Sequence, residues 1–359
     1  MPMERQLPVY GRRVTEIRGT LAVHDHGGDG PPLVLLHGAR STLAAWSGVA
    51  PLLVDRHRVL AVDLRGHGRS PSGTWDFPRV LGDIEDVLDA HGIPDALPVG
   101  HSLGGMIAVR YALAHPDVTP GAVNLDGYGW GRPDQYVGLD PAAVAEHLAT
   151  LWEMGTAPSP ALSAEDFLDL LAEQRAACAR QGIPYDAVET GLFRSLREQP
   201  DGRQELGPDA RLVREMTASV RTLDLFELFR RTTTPLLLAR ALRPMPSIPG
   251  NDWYDGLMAA YARGLDRDLA ELAAERPNVT VVHIDATHNM VLDNPRAVAA
   301  AILRFAAEGL VDVEGSAAEG STTAEGSAVI ARPATCEESA AAVVPATPVD
   351  RDTPAELGP

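Results

Sequence analysis

Short apolar runs alternate with helical stretches along the first 130 residues of the chain. Leu33–Leu36 is continuously apolar, the pattern of a strand that is buried on both faces. Further strands are predicted at Gly19–His26, Arg58–Leu64, Leu97–Val99 and Gly121–Leu125, and helices at Ser41–Val54, Pro78–His91 and Leu103–His115. This alternation predicts an α/β fold in which helices cover a mostly parallel sheet.

The pattern changes at about Gly131, and from there to Arg231 it is helical, with no strand predicted. The predicted helices are Pro141–Met154, Ala164–Gln181, Tyr185–Arg197 and Ala210–Val220. Strand signals return at Pro235–Leu238 and Val279–Ile284, and a last helix is predicted at Pro295–Glu308. Because both ends of the helical segment return to the same sheet, we interpret it as a cap over one edge of that sheet rather than as an independent domain.

Four parts of the chain follow from this pattern. Residues 1–130 and 232–311 are predicted to form the two halves of the sheet domain, and residues 131–231 the helical cap. Residues 312–359 consist mainly of Ala, Gly, Ser, Thr, Pro and Glu, without aromatic side chains or periodicity. We therefore predict a disordered C-terminal tail, because such a segment cannot bury enough apolar surface to fold.

The composition narrows the range of partners and locations. The net charge of −18 repels phosphate backbones and anionic lipid, so neither a nucleic acid nor a membrane is expected as a partner. No apolar run approaches the roughly 18 residues of a membrane span, and no apolar segment follows the N-terminal arginines as in a secretory signal. Cys178 and Cys336 are too few for a disulfide framework, which favours free thiols in the cytoplasm.

The main candidate for chemistry is Ser102, in the run Gly100-His101-Ser102-Leu103-Gly104. This Gly-x-Ser-x-Gly pattern lies between a predicted strand and a predicted helix. In that context the serine occupies a sharp, strained turn that exposes its hydroxyl group, and glycines are needed because side chains would clash there. Ser102 is therefore predicted to be a catalytic nucleophile.

Four segments in order resemble the α/β-hydrolase fold superfamily: His37-Gly38 after a strand, the run from Asp63 to Ser70, the Ser102 turn, and His288 ahead of Asn294-Pro295. The resemblance extends from about Gly19 to Glu308, apart from the cap. It implies a mostly parallel, doubly wound sheet of α/β-hydrolase type with an inserted helical cap. The run from Asp63 to Gly68 is expected to be a structural turn beneath the site.

A serine needs a base to become nucleophilic, and His288 is our candidate among 11 histidines. It follows the last predicted strand, and in the superfamily that loop lies over the nucleophile. His101 is expected to have a structural role. His24 and His26 could lie on one face of a strand, but without further ligands nearby we predict no metal site there. No cofactor is expected.

The acid that orients the base is less determined. The usual superfamily position follows the strand Pro235–Leu238, but the first carboxylates after that strand are Asp252 and Asp255. Asp126 follows the preceding strand, and some superfamily members, including lactonases and dehalogenases, carry their acid there. We favour Asp126 and keep Asp252 as the second candidate; a turn-capping role for Asp126 is the alternative interpretation.

The resemblance also implies two backbone N–H donors for an oxyanion, one at Leu103 and one on the loop after His37-Gly38, where Ala39 is the matching position and Arg40 the next candidate. Cap residues should shape the substrate pocket, and the candidates for its lining are Arg40, Tyr128, Trp130 and Trp152. Because most of these side chains are aromatic, an apolar substrate group is favoured over a charged one.

Together these observations predict a serine hydrolase that cleaves a carboxylic ester, or a lactone or thioester, of a small and largely apolar substrate through an acyl-enzyme. A serine at this turn argues against the epoxide hydrolases and haloalkane dehalogenases of the superfamily, which use aspartate. A C–C bond hydrolase, a perhydrolase and a non-catalytic protein that binds a small ligand remain open alternatives.

Overall fold

The fold is taken from a computed structural model, which describes residues 14–15, 21–199, 201–244, 246–248 and 250–309. The predicted tail at 312–359 and Cys336 lie outside the described residues. Cys178 is a buried free thiol.

One sheet of eight strands organises the fold. Its strands are β1 (Val14–Thr15), β2 (Val23–Gly27), β3 (Leu33–Leu36), β4 (Val59–Val62), β5 (Leu97–His101), β6 (Ala122–Leu125), β9 (Leu236–Ala241) and β10 (Val279–Ile284). Across the sheet they lie in the order β1-β2-β4-β3-β5-β6-β9-β10. The pairs β1–β2 and β2–β4 are antiparallel, and every other pair is parallel. The predicted α/β fold with a mostly parallel sheet is therefore confirmed.

Helices connect the strands and cover both faces of the sheet. They are α1 (Phe77–Ala90), α2 (Leu103–Ala114), α3 (Pro141–Thr156), α4 (Ala164–Gln181), α5 (Tyr185–Ser195), α6 (Ala210–Arg221), α7 (Leu225–Arg231), α8 (Trp253–Glu275), α9 (Met290–Asp293) and α10 (Pro295–Gly309). Across the described part of the chain, none of the helices combines the length and the apolar character that crossing a membrane requires.

Three expectations from the sequence are wrong. The single helix predicted at Ser41–Val54 is two 3-10 helices, Leu43–Gly48 and Ala50–Leu52, because Gly48 and Pro51 interrupt an α-helical turn. The inserted segment is not wholly helical, since β7 (Leu196–Glu198) and β8 (Gln204–Leu206) pair as an antiparallel hairpin.

Third, no helix is predicted where α8 lies. Buried apolar residues nevertheless recur there at helical spacing, namely Leu257, Tyr261, Leu265, Leu269 and Leu272. Gly256 and Gly264 interrupt the helix-forming residues of this segment. Gly264 is needed because a Cβ there would lie 1.9 Å from the carbonyl oxygen of Gln135. The close approach of two segments, which only the fold reveals, therefore explains this weak helix signal.

Side chains alternate along the strands between two apolar cores. In β9, Leu236 and Leu238 face the core shared with α1, α2 and α8, whereas Leu237 and Ala239 face the core shared with the 3-10 helices and α10. Because six of the strands are parallel, their carboxyl ends lie at one edge of the sheet, which is where ligands bind in open α/β sheets. The insertion between β6 and β9 begins at this edge.

Candidate active site

Ser102 occupies a strained turn between β5 and α2. Its φ is 53° and its ψ is −116°, which places a non-glycine residue in the left-handed half of conformational space. The turn is tight: a Cβ on Gly100 would lie 2.0 Å from the carbonyl carbon of Gly104, and a Cβ on Gly104 would lie 2.1 Å from the carbonyl oxygen of Leu36. The two glycines therefore allow β5, β3 and α2 to pack closely enough to present the serine at the end of the strand.

Three side chains from separate parts of the chain form a continuous hydrogen-bonded series. The Ser102 hydroxyl donates to Nε2 of His288 at 3.0 Å, and Nδ1–H of His288 donates to Oδ2 of Asp126 at 2.7 Å. His288 belongs to the loop between β10 and α9. Asp252, the second candidate for the acid, is exposed at the start of α8, and the structure does not bring it to His288.

Asp126 is held by the backbone around it. It has a φ of 56° at the end of β6, and its Oδ1 accepts the backbone N–H of Ala241 at 3.0 Å. Burial by itself raises the pKa of this carboxyl, but the hydrogen bonds and charges of His288, Ala241 and Arg240 outweigh burial and hold the pKa below its usual value. The carboxyl is therefore ionised at neutral pH and can accept both hydrogen bonds.

Asn124 supports this carboxylate and is not among the predicted site residues. Its amide donates to the carbonyl of Gly127 at 2.8 Å and accepts the N–H of Gly127 at 2.7 Å, so it closes the turn that contains Asp126. The side chain is fully buried. A polar residue inside the otherwise apolar strand β6 was the available signal, because a buried amide must find partners.

The segment after β4 packs beneath the site, next to the loop that follows β3. Fully buried Asp63 accepts the backbone N–H groups of Leu43 at 2.8 Å and of Arg69 at 2.9 Å. A guanidinium from the insertion, that of Arg194 in α5, also binds this carboxylate. His37 accepts the N–H of Leu64 at 3.0 Å. The contact of Arg194 with Asp63 joins the insertion to the sheet domain.

A cavity of about 610 Å³ opens beside Ser102 and His288. Ala39 and Leu103, the predicted backbone donors, lie in its wall, as do the predicted pocket residues Tyr128, Trp130 and Trp152. Most of the remaining wall is apolar and consists of residues that are not among the predicted site residues. These residues include Met106, Met216, Val220, Met258, Tyr261 and Leu265.

Among the residues that the structure describes, the wall of this cavity does not include Arg40. The Arg40 guanidinium instead donates to the carbonyls of Gly155 at 2.8 Å and Ala157 at 3.2 Å, at the C-terminal end of α3. The wall also contains charged residues that are not among the predicted site residues, namely Arg240, Arg243 and Asp255. Arg240 could have been noticed as a charge within an otherwise apolar strand.

The histidines of β2 do not assemble a cluster of ligands. The rings of His24 and His26 stack with their centroids 4.1 Å apart, and burial lowers the pKa of His26 to about 4. Within the described ranges, no group of three or more His, Cys, Asp or Glu side chains could hold a metal ion.

Comparisons with known proteins place this geometry in a family. A model of the alpha/beta hydrolase family matches residues 33–301. Epoxide hydrolase B of Mycobacterium tuberculosis (strain ATCC 25618 / H37Rv) is 37% identical over 122 residues, 32% of this chain and 34% of that enzyme. Fluoroacetate dehalogenase of a Burkholderia species is 39% identical over 124 residues, 33% of this chain and 41% of that enzyme. Esterase YbfF of Escherichia coli (strain K12) is 31% identical over 181 residues, 50% of this chain and 64% of that enzyme.

The chain thus spans between 34% and 64% of the length of these curated relatives. Among solved structures, E-2-(acetamidomethylene)succinate hydrolase superposes with a TM-score of 0.62 at 24% identity, covering 80% of this chain and 95% of that chain. A marine microorganism esterase superposes with a TM-score of 0.54 at 20% identity, covering 80% and 99%. These superpositions show a shared fold, and the family model extends over both halves of the sheet. The chain belongs to the alpha/beta hydrolase family.

Proposed function

We propose that the protein is a serine hydrolase that cleaves the carboxylic ester of a small, largely apolar substrate through an acyl-enzyme. The observation that carries the proposal is the hydrogen-bonded series from Ser102 Oγ through His288 to Asp126 Oδ2, with distances of 3.0 Å and 2.7 Å. A nucleophile, a base within hydrogen-bonding distance and an acid that orients the base are the parts that acyl transfer requires.

Acylation begins when Ser102 Oγ attacks the ester carbonyl while its proton passes to Nε2 of His288. The new bond joins Oγ to the acyl carbon, and the bond from that carbon to the leaving oxygen breaks as His288 protonates the departing alcohol. Water then attacks the acyl-enzyme, with His288 taking its proton. The bond between the acyl carbon and Oγ then breaks, and His288 returns the proton to Oγ, which releases the carboxylic acid and restores the Ser102 hydroxyl. Throughout, Asp126 holds the imidazole in one tautomer and stabilises its protonated form.

The developing oxyanion needs preorganised donors. Leu103 begins α2, so its N–H is one of those that an α-helix leaves without an internal partner, and the helix dipole adds positive potential there. Ala39 is proposed as the second donor, because it lines the same cavity on the loop after β3. Each such donor is typically worth about 10²–10³ in turnover.

The insertion at residues 131–231 acts in this proposal as a cap that shapes the pocket. It contributes Trp152, Met216 and Val220 to the cavity wall, opposite residues of the sheet domain. A volume of about 610 Å³ lies within the usual range of small-molecule sites, and its apolar wall favours an apolar acyl or alcohol group.

The relatives include an epoxide hydrolase and a dehalogenase, and the chemistry of Ser102 argues against both activities here. Attack by a serine hydroxyl on an epoxide or an alkyl halide would leave the substrate joined to the serine by an ether, which water does not cleave near neutral pH. A carboxylate nucleophile would instead leave a hydrolysable ester. Attack by Ser102 on an acyl carbon leaves an ester, so the enzyme can turn over.

A fluorophosphonate probe and a panel of p-nitrophenyl esters of increasing chain length test the proposal, with an epoxide and fluoroacetate as further substrates. We expect Ser102 to be labelled and ester turnover to disappear in Ser102→Ala. Ser72→Ala is the matched control, because Ser72 is an exposed residue that bonds Asp209. Ester turnover that survives in Ser102→Ala, or turnover of only the epoxide or fluoroacetate, would refute the mechanism.

A further inference from the structure

His101 connects the serine turn directly to the loop that carries His288. Its Nε2–H donates to the backbone carbonyl of His288 at 2.6 Å, across 187 residues of sequence. The two imidazole rings lie with their centroids 5.0 Å apart. The residue immediately before Ser102 therefore binds the backbone of the proposed base, whose side chain binds Ser102.

The same ring also packs beneath the loop that follows β3. A Cβ placed on Gly38 would lie 3.1 Å from Nδ1 of His101 and 3.2 Å from Cβ of Ser102. Gly38 immediately precedes Ala39, the proposed oxyanion donor. One side chain thus touches the serine turn, the histidine loop and the oxyanion loop, each of which must be placed accurately for acyl transfer.

The hydrogen bond to the backbone carbonyl of His288 sets the tautomer of His101. The side chain is only 7% exposed, and burial lowers its pKa to about 3, so the ring is neutral near neutral pH. A neutral imidazole has one N–H, and the carbonyl of His288 is an acceptor, so the proton resides on Nε2. The hydrogen bond is therefore retained in the resting enzyme and does not depend on protonation of His101.

We propose that His101 is a positioning residue that holds the backbone of His288 at the distance from Ser102 that proton transfer requires. It touches no reacting atom. Its hydrogen bond sets the height of the His288 loop above β5, and its ring supports Gly38 on the other side. This inference rests on the proposed serine mechanism.

Three substitutions separate the hydrogen bond from packing. His101→Gln places its amide nitrogen as many bonds from Cβ as Nε2 of histidine, so it can still donate to the carbonyl of His288. His101→Asn has its amide at the shorter Nδ1 distance and cannot reach. His101→Phe keeps a planar ring but has no donor. His57→Phe is the matched control, because His57 is also buried and bonds a backbone carbonyl, that of Pro31 at 2.9 Å, at the opposite edge of the sheet.

We expect kcat for the best p-nitrophenyl ester to fall by about 10²-fold in His101→Phe and His101→Asn, since a misplacement of ~1 Å can cost that much. KM should stay within about twofold of wild type because the cavity wall is unchanged. His101→Gln should recover most of kcat. His57→Phe should lower Tm and leave kcat unchanged.

The inference is overturned if His101→Phe retains wild-type kcat, or if the Gln, Asn and Phe variants lose kcat equally and in proportion to their loss of Tm. Labelling by the fluorophosphonate separates this outcome from failure of the proposed function. If wild-type protein is not labelled at Ser102, the serine mechanism itself is wrong. If it is labelled but the rate of labelling is the same in His101→Phe, only the positioning role of His101 is refuted.

Discussion

Oδ2 of Asp126 lies 2.7 Å from Nδ1 of His288, although 162 residues separate them in the sequence. Asp126 directly follows β6, whereas the usual superfamily position for the acid follows the next strand of the sheet, β9. Because β6 and β9 are parallel neighbours, a carboxylate after either strand starts from the same edge. The backbone N–H of Ala241 at the end of β9 binds Asp126, so the usual position supports the proposed acid instead of supplying it.

Asp126→Asn is therefore expected to lower kcat by about 10⁴-fold, because an amide cannot stabilise the imidazolium and favours the wrong tautomer of His288. Steady-state kinetics with a p-nitrophenyl ester measure the effect. Asp252→Asn is the matched control and should stay close to wild type, since Asp252 is exposed at the start of α8. Loss of activity in the control but not in Asp126→Asn would contradict the assignment.

The sequence was sufficient to predict the sheet, the Ser102 turn and the association of His288 with it, because these depend on local patterns and chain order. The wall of the cavity was only partly predictable. Met216 and Met258 lie on α6 and α8, and nothing in the sequence shows how those helices are placed against the sheet. Arg40 is a predicted pocket residue, but its long side chain reaches the C-terminal end of α3 instead, a contact that its place in the sequence does not reveal.

Gly104→Ala should disrupt the fold around the serine turn. Its Cβ would lie 2.1 Å from the backbone oxygen of Leu36, and backbone atoms cannot move aside as a flexible side chain can. We expect a large fall in Tm and no labelling of Ser102. Gly256→Ala in α8 is the matched control: nothing lies within 4 Å of its new Cβ, so the substitution should stabilise the helix by about 0.5–1 kcal/mol. An unchanged Tm in Gly104→Ala would show that the packing of Gly104 against the backbone of Leu36 is looser than a 2.1 Å approach implies.

The ion pair between Asp63 and Arg194 should anchor the insertion to the sheet. The Asp63 side chain is inaccessible and that of Arg194 is 14% exposed, so removing one partner leaves a buried charge uncompensated. Arg194→Met is expected to lower the free energy of unfolding by about 3 kcal/mol in urea titrations. The exposed pair of Arg203 and Asp201 provides the control, and Arg203→Met should leave the urea midpoint unchanged. Equal midpoints for the two variants would show that the buried pair contributes no anchoring.

Buried neutral histidines should make the fold sensitive to acid. Burial lowers the pKa of His67 from its ordinary value of 6.5 to about 3, and the residue is 1% exposed. Between these two pH values the unfolded chain binds a proton that the folded protein does not. The free energy of unfolding therefore falls as the pH is lowered through this window, by about 1.4 kcal/mol per pH unit for each such group.

His67→Gln removes one of these protons, so the slope of unfolding free energy against pH between pH 6 and pH 4 should become shallower by about 1.4 kcal/mol per pH unit. Urea titrations at several pH values measure both slopes. Repeating them at about 1 M salt, where the Debye length is about 3 Å, separates this effect from relief of the repulsion that a net charge of −18 produces. Identical slopes for wild type and variant would show that His67 is protonated in the folded protein. The wild-type slope should also reflect His101, whose pKa burial lowers to about 3. Acid would then weaken the same packing that holds the loop of His288 above Ser102.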